Sequence, residues 1–243
     1  MRAISRHEQE LHRSPCLTSL PAVDETTKTK RLWGPLETEI LAGNGIDIGC
    51  GPDPVTPSVR RFDVEDGDAN EVTRFVRDQF DFVYASHCLE HMRDPRKSLL
   101  DWWKLVRPGG HIFFIVPDED LYEQGVFPSR FNVDHKATFT ISKTESWSPA
   151  SVNVLDLANS LPGGLVVKVV LQDQGYDRSL LVHGPSLPGR WARIPLRANR
   201  ALRRRFGFGV PGLERLLRNF VPVDQTLRPD AVAQIQCIVK KVA

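Results

Sequence analysis

Three groups of residues in this sequence have the types and spacing that chemistry requires. The first is the turn Gly49-Cys50-Gly51, which closes the short apolar run Gly45-Ile46-Asp47-Ile48. A backbone without Cβ atoms lets a ligand lie directly against it, and open α/β sheets bind ligands at the carboxyl ends of their strands. Asp63 follows Gly51 by twelve residues, placed to accept hydrogen bonds from ribose hydroxyls at the next strand's end. Asp68, in Gly67-Asp68-Ala69, is a short acid able to accept from the amino group of a purine. There is no P-loop lysine and no complete GxGxxG, so a nucleoside triphosphate or a dinucleotide is disfavoured. A tight turn without a ligand is the plainer alternative.

The second group is His87-Cys88-Leu89-Glu90-His91, of the form HxxEH. On a helix, two histidines four apart share a face and can reach one zinc ion. Helix punctuation begins only at Asp94-Pro95, however, so zinc hydrolysis is not expected. Glu90 and His91 are read as shaping a substrate pocket or packing structurally. The third group centres on His135, in Phe131-Asn132-Val133-Asp134-His135-Lys136. An imidazole with an ordinary pKa of about 6.5 suits removal of a proton from an alcohol, and His135 is the catalytic candidate. A loop histidine bonded to backbone is the alternative.

Asp118-Glu119-Asp120 and Glu123 form a carboxylate cluster that would suit Mg²⁺ with retained waters. A solvated acidic loop is preferred, and no metal is assigned. The aromatics Trp33, Tyr122, Phe127, Phe131 and Trp147 surround or precede this loop and lean towards a polar, ring-shaped acceptor, although each could equally be core.

These groups need elements to hold them. Gly45–Ile48 reads as a buried strand, Phe80–Ala85 as a second and His111–Pro117 as a third. Between the last two, Asp94 is a natural N-cap, Pro95 suits the first turn, and Leu99, Trp103 and Val106 share one apolar helix face stopped by Pro108-Gly109-Gly110. Strand, helix and strand in this order are the grammar of a parallel sheet. Ser148-Pro149-Ala150 is expected to cap a helix through Leu161, followed by strands at Leu165–Leu171 and Ala233–Lys240. Residues 1–30 lack a period and read as an N-terminal arm or lid. Residues 31–243 read as one domain, with an insertion at about 178–228.

Gly45-Ile-Asp-Ile-Gly-Cys-Gly-Pro-Asp-Pro resembles the first motif of class I S-adenosylmethionine (SAM)-dependent methyltransferases. Phe80-Asp-Phe-Val-Tyr-Ala-Ser-His-Cys-Leu-Glu-His-Met-Arg-Asp-Pro resembles their fourth-strand motif in the small-molecule branch, and Leu105-Val-Arg-Pro-Gly-Gly-His-Ile resembles the turn into their fifth. Together these cover Gly45–Pro117 in the family's order. Asp53, followed by Pro54, stands where the first motif usually has its third glycine. The resemblance implies a Rossmann-like sheet of seven strands, mostly parallel, with the last reversed at Ala233–Lys240. It implies that Asp47, Gly49, Cys50 and Gly51 lie at the methionine portion and ribose of SAM, Asp63 at the ribose hydroxyls, Asp68 and Ala69 at the adenine, and Ser86 and His87 beside the sulfonium. The activity implied is methyl transfer to a hydroxyl of a small molecule, such as a sugar, glycan or secondary metabolite, with S-adenosylhomocysteine as coproduct. An RNA or amine methyltransferase, and a non-catalytic SAM-binding protein of the same fold, remain open.

The 243 residues suffice for one large α/β domain. Composition is ordinary for a globular protein, with 41% hydrophobic and 26% charged residues, which excludes a disordered or collagen-like chain. Cys16, Cys50, Cys88 and Cys237 show no disulfide or metal spacing, the start carries no apolar leader, and no apolar run is long enough to span a bilayer. A cytoplasmic, at most membrane-peripheral, protein is expected. The formal charge of +2 hides a segregation: residues 190–205 hold seven arginines and no acid, without which the chain would be acidic. Arg190–Arg205 is read as either a solvated helix or a contact for an anionic membrane or lipid-linked substrate, with nucleic acid less favoured.

Overall fold

The apolar run Gly45–Ile48 forms strand β1, buried along its whole length, as a strand covered on both faces must be. Strands β2 (Arg60–Phe62) and β3 (Phe80–Ser86) flank it in parallel, and β4 (Val106–Pro117) continues the parallel set beyond β3. The computed structural model describes residues 25–184, 198–199, 201–202, 205 and 222–242. After β5 (Thr138–Thr140) and β6 (Ser151–Asn153), which form a small parallel pair of their own, β7 (Gly164–Gln172) and β8 (Gln234–Lys241) complete the main sheet. Its order is β2-β1-β3-β4-β8-β7, with β8 antiparallel to both neighbours. The reversed final strand expected at Ala233–Lys240 is therefore present.

Six strands rather than seven form this sheet among the described residues. A further parallel strand between β2 and β3 in sequence would need two crossovers out of Asp63–Gln79. One crossover alone takes a dozen or more residues, and the stretch holds only a 3-10 turn over Ala69–Arg74.

Helix α3 (Pro95–Trp103) starts where its signals place it, Asp94 accepting from the Arg96 and Lys97 N–H groups at 3.1 and 3.2 Å. It ends earlier than its apolar spacing suggests. Val106 pairs with Phe80 as the first residue of β4, and Pro108-Gly109-Gly110 forms an irregularity before His111 pairs with Phe82. Pairing with a buried neighbouring strand outweighs helical periodicity here. Likewise Ser148-Pro149-Ala150 does not cap a helix: α4 (Val154–Asn159) begins after β6, with the Asn153 side chain accepting from Asp156 N–H at 3.1 Å.

Two helices cover the other face, α1 (Glu25–Lys30) and α2 (Pro35–Ile40). Thus residues 25–30, read as arm, form a helix with Thr26, Lys28 and Thr29 buried. The rest of that arm, and all of Arg190–Arg205 except five residues, lie outside the described residues. Alternation along the strands divides the core. Val83, Ala85, Ile112 and Phe114 face α3 and α4, while Phe82, Tyr84, Phe113 and Ile115 face α2 and Trp33. Trp33 sits against Tyr84 and Phe113 at ring distances of 6.1 and 5.7 Å, so it is core rather than part of an acceptor loop.

Candidate functional site

The glycine turn leaves β1 with Gly49 and Gly51 both at positive φ, +74° and +51°. The two differ in purpose. A Cβ at Gly49 would come within 2.7 Å of the Cys88 sulfur, whereas one at Gly51 would meet nothing within 4 Å. Gly49 is thus a packing glycine and Gly51 faces open space. Asp47 supports the turn from beneath: it is 1% exposed and accepts the Val55 N–H at 2.7 Å. Burial pushes its carboxyl up to about 7, against that bond. Asp63 clasps the turn from β2, accepting the Gly51 N–H at 2.6 Å on one oxygen and the Val64 N–H at 2.7 Å on the other. Cys50 is buried and takes the Arg61 Nε–H at 3.3 Å on its sulfur.

Asp53, the departure from the usual glycine, has a structural use. Its carboxylate accepts the Thr27 N–H at 2.6 Å and the Thr27 hydroxyl at 3.0 Å, and Lys30 donates to the neighbouring Pro54 carbonyl at 3.1 Å. The turn therefore holds α1 in place, a task that glycine could not perform.

Beside the turn lies a cleft of about 760 Å³ lined by Gly49, Asp63, Gly67, Asp68 and Ala69 on one side and Cys88, His91, Met92 and Asp134 on the other. Four of the expected residues, Gly49, Asp63, Asp68 and Ala69, meet there. Val64, 81% exposed, joins them and was not foreseen; an apolar residue straight after a strand-end acid was its only signal. Asp68 caps the 3-10 turn through Asn70 N–H at 2.9 Å and pairs with Arg93 at 2.9 Å. Asp47, Cys50, Gly51 and Ser86, expected at the cofactor, are not in the cleft's lining. The Ser86 hydroxyl oxygen is buried at the end of β3 without a hydrogen-bond partner among the described residues.

His87 lies in a second pocket instead of the cleft. Its backbone is left-handed (φ +52°), a costly conformation for a non-glycine residue. The turn sends the ring to β8, where Nε2 meets Gln234 Oε1 at 3.0 Å and Nδ1 lies 3.3 Å from Glu90. Burial works against protonation, but Glu90 outweighs it and holds His87 at about 9. Burial would likewise raise Glu90, yet His87 keeps that carboxyl below its ordinary value. Behind Gln234 runs a ladder of amides. Gln234 donates to Gln172 Oε1 at 2.8 Å, Gln172 to Gln236 Oε1 at 2.8 Å, and Gln236 to Glu37 Oε1 at 2.6 Å.

The second pocket, about 190 Å³, is lined by His87, Glu90, His91, Tyr122, Asn132 and His135, with Glu25, Thr226 and the run Val232 to Gln234 leading into β8 closing it. The HxxEH segment is not a helix: β3 ends at Ser86, and only Leu89–His91 form a 3-10 turn. Its two histidines point to different partners. His91 Nδ1 meets Asp134 at 2.9 Å. The loop that brings His135 is stitched to this segment, Lys136 N–H donating to Glu90 O at 2.8 Å and Lys136 Nζ to His91 O at 2.9 Å.

His135 is buried, stacked on Tyr122 with ring centroids 5.3 Å apart, and its Nδ1 lies 2.6 Å from Glu123 Oε1. A wide turn over Glu119–Glu123, closed by Gln124 N–H on Glu119 O at 3.2 Å, aims Glu123 inward. Glu123 is thus a partner of His135 rather than part of a solvated cluster. Glu119 is fully buried and accepts from Thr138, Lys143, Ser146 and Ser151. Asp118 caps the wide turn, and Asp120 pairs with Lys143 and Trp147. These acids are committed to structure, which leaves no Mg²⁺ cage among them.

A methyltransferase-domain family model matches residues 26–208, and the chain belongs to that family. S-adenosylmethionine is the cofactor that membership implies. Among solved structures the chain is similar to a SAM-dependent methyltransferase of Thermotoga maritima, at 16% identity over 91% of this chain and 89% of that one, with a TM-score of 0.44. It is also similar to the YcgJ protein of Bacillus subtilis, at 13% identity over 86% and 98% of the two chains, with a TM-score of 0.44. A third is a phosphoethanolamine N-methyltransferase of Haemonchus contortus in complex with phosphomonomethylethanolamine and S-adenosylhomocysteine, at 13% identity over 86% of this chain and 52% of that one, TM-score 0.41. At these identities the likeness says nothing of the acceptor. No curated protein matches the sequence. No helix among the described residues is long and apolar enough to cross a membrane.

Proposed function

We propose that the protein transfers a methyl group from SAM to a hydroxyl of a small polar acceptor, a sugar or natural product in class. The observation that carries this reading is the meeting of two cavities at His91, which lines both the cleft and the small polar pocket. A cleft of some hundreds of cubic ångströms is the size small-molecule ligands occupy. The residues fit a nucleoside: Asp63, in the cleft wall, keeps lone pairs beyond its two backbone bonds, and Gly51 beside it leaves open space at the turn. When bound, SAM supplies an electrophilic methyl on a sulfur that keeps the electron pair as the methyl leaves.

The chain's own part is positioning and proton handling. With Nδ1–H donated to Glu123, His135 has Nε2 left to hold, and then take, the proton of the acceptor hydroxyl. Glu90 and His87 bring a buried ion pair to the same pocket, and Tyr122 fixes the imidazole plane. Most of the rate gain in such a displacement comes from alignment of the two reactants.

Calorimetric titration with SAM, followed by a mass-detected screen of hydroxylated acceptors for the gain of one methyl group, tests the reading. Failure to bind SAM rejects it. Asp63→Ala should weaken SAM binding by about 10- to 100-fold, because the turn loses two charge-assisted bonds of roughly 1.5–3 kcal/mol each before any ribose contact is counted. An unchanged affinity in the same titration removes Asp63 from the cofactor site.

A further inference from the structure

Glu90 is fully buried, and neither carboxylate oxygen accepts a hydrogen bond among the described residues. Its nearest cation, His87 Nδ1 at 3.3 Å, faces only one of the two oxygens. His87 balances the charge but leaves the other oxygen without a partner among the described residues, and a buried polar atom left so is costly. The groups around it are histidines, and their arrangement is specific. One ligand atom from each of Glu90, His91 and His135 lies within 4.8 Å of the other two.

Both imidazoles are held from behind by carboxylates. Asp134 takes Nδ1 of His91 at 2.9 Å, and Glu123 takes Nδ1 of His135 at 2.6 Å. A carboxylate on one ring nitrogen fixes the tautomer, orients the ring and makes the other nitrogen more basic, which is how metal-binding histidines are prepared. In each ring the nitrogen left with its lone pair is Nε2. The rings pack edge to face at 5.0 Å, so their directions are not independent.

We propose that Glu90, His91 and His135 bind a divalent first-row transition cation at the head of the acceptor pocket. Two imidazoles and a carboxylate suit zinc, iron, cobalt or nickel better than magnesium. Bonds of about 2.0–2.2 Å set ligand atoms roughly 3–3.6 Å apart, a modest contraction from the distances here. The pocket of about 190 Å³ in front of the three residues leaves the remaining coordination positions for water or an acceptor oxygen. The inference deepens the methyl-transfer reading and rests on the same pocket. With the cation bound, Nε2 of His135 is a ligand and the cation, rather than the imidazole, holds the acceptor oxygen.

This site is not the pairing that HxxEH suggests. His87 belongs to Gln234 and Glu90, and the second imidazole comes from His135, forty-four residues beyond His91.

The test uses the untagged full chain, freed of metal by chelation and titrated with Zn²⁺ in a calorimeter and with Co²⁺ by visible absorption. The expected result is one tightly bound cation per chain, with the visible bands of Co²⁺ coordinated by nitrogen and oxygen. Glu90→Gln and His91→Ala should each weaken binding by at least about tenfold, since even outer-shell partners of metal ligands contribute 10- to 100-fold. His91 is only partly buried, so its variant guards against a folding defect at Glu90. No bound cation in the parent chain, or equal binding by His91→Ala, overturns the proposal. A SAM titration of the same samples keeps the two readings apart. SAM binding without the metal rejects the cation site alone, and metal binding without SAM rejects the methyl-transfer reading alone.

Discussion

His135→Ala should lower the rate of methyl transfer by about 10²- to 10⁴-fold, the range that a positioned proton-transfer group contributes, while leaving SAM affinity unchanged. The separation follows from placement. His135 lines the small pocket and not the cleft, so its removal touches the acceptor side only. It also leaves Glu123 buried with no partner for Oε1, as Oε2 already has none among the described residues. Glu123→Gln is the finer probe. It keeps volume and burial but gives up the charge that orients the ring, and the rate should fall about 10- to 100-fold. Rates measured with an acceptor from the screen, alongside calorimetry with SAM, decide the matter. An undiminished rate in His135→Ala would remove the histidine from the chemistry.

The second large effect is on stability and lies at the far end of the amide row that begins at His87. Glu37 is 1% exposed and gathers Lys168, the Gly34 N–H at 2.9 Å and Gln236 at 2.6 Å. Burial alone would raise its carboxyl, yet these partners outweigh burial and hold it at about 2. Glu37→Ala should destabilise the fold by about 2–4 kcal/mol, because the Gly34 N–H and the buried Gln236 amide lose their acceptor, while Lys168, a third exposed, can turn to water. The sign of the pH dependence is also set. A carboxyl lowered from 4.5 to about 2 contributes stability that is complete above pH 4.5 and is lost as pH falls towards 2. Denaturant unfolding followed by tryptophan fluorescence should show the parent chain losing stability across that window and Glu37→Gln losing less. A cost below about 1 kcal/mol for Glu37→Ala would show Lys168 and Gln236 to be satisfied elsewhere.

Strands β1, β3, β4 and β7, the capped helix α3 and the reversed final strand were legible because each is written locally, in alternation, a cap or a turn, whereas the three-residue strands β2, β5 and β6 are too short to carry a period. Val106 was not, because its place in β4 depends on Phe80, a partner from another segment. The shortfall of one strand was present in the length of Asp63–Gln79, but only once β2 and β3 are known to be two apart in the sheet. The cleft followed the same division. Gly49, Asp63, Asp68 and Ala69 lie close in sequence and meet as expected. His87, placed by resemblance beside the sulfonium, turns away because of its left-handed backbone, a conformation that no residue type at that position announces. Glu123 looked like one acid among four. Its partner is twelve residues on, and only the wide turn at Glu119–Glu123 selects it over its neighbours. Asp53 looked like a defect in a glycine motif and is a clamp for α1.

The amide ladder from Glu37 to His87 obeys something like the ice rules. Glu37 accepts only, so Gln236 must turn its NH₂ outward, Gln172 must follow, and Gln234 is left presenting an oxygen to His87. Reversing any single amide would set donor against donor, so the row is frozen in one sense throughout. His87 Nε2 therefore carries a hydrogen whether the ring is neutral or charged, and its Nδ1 is the atom left to answer Glu90. The proton inventory of the pocket is thus written at the other end of this amide row, by a carboxylate in α2 that no acceptor will ever touch.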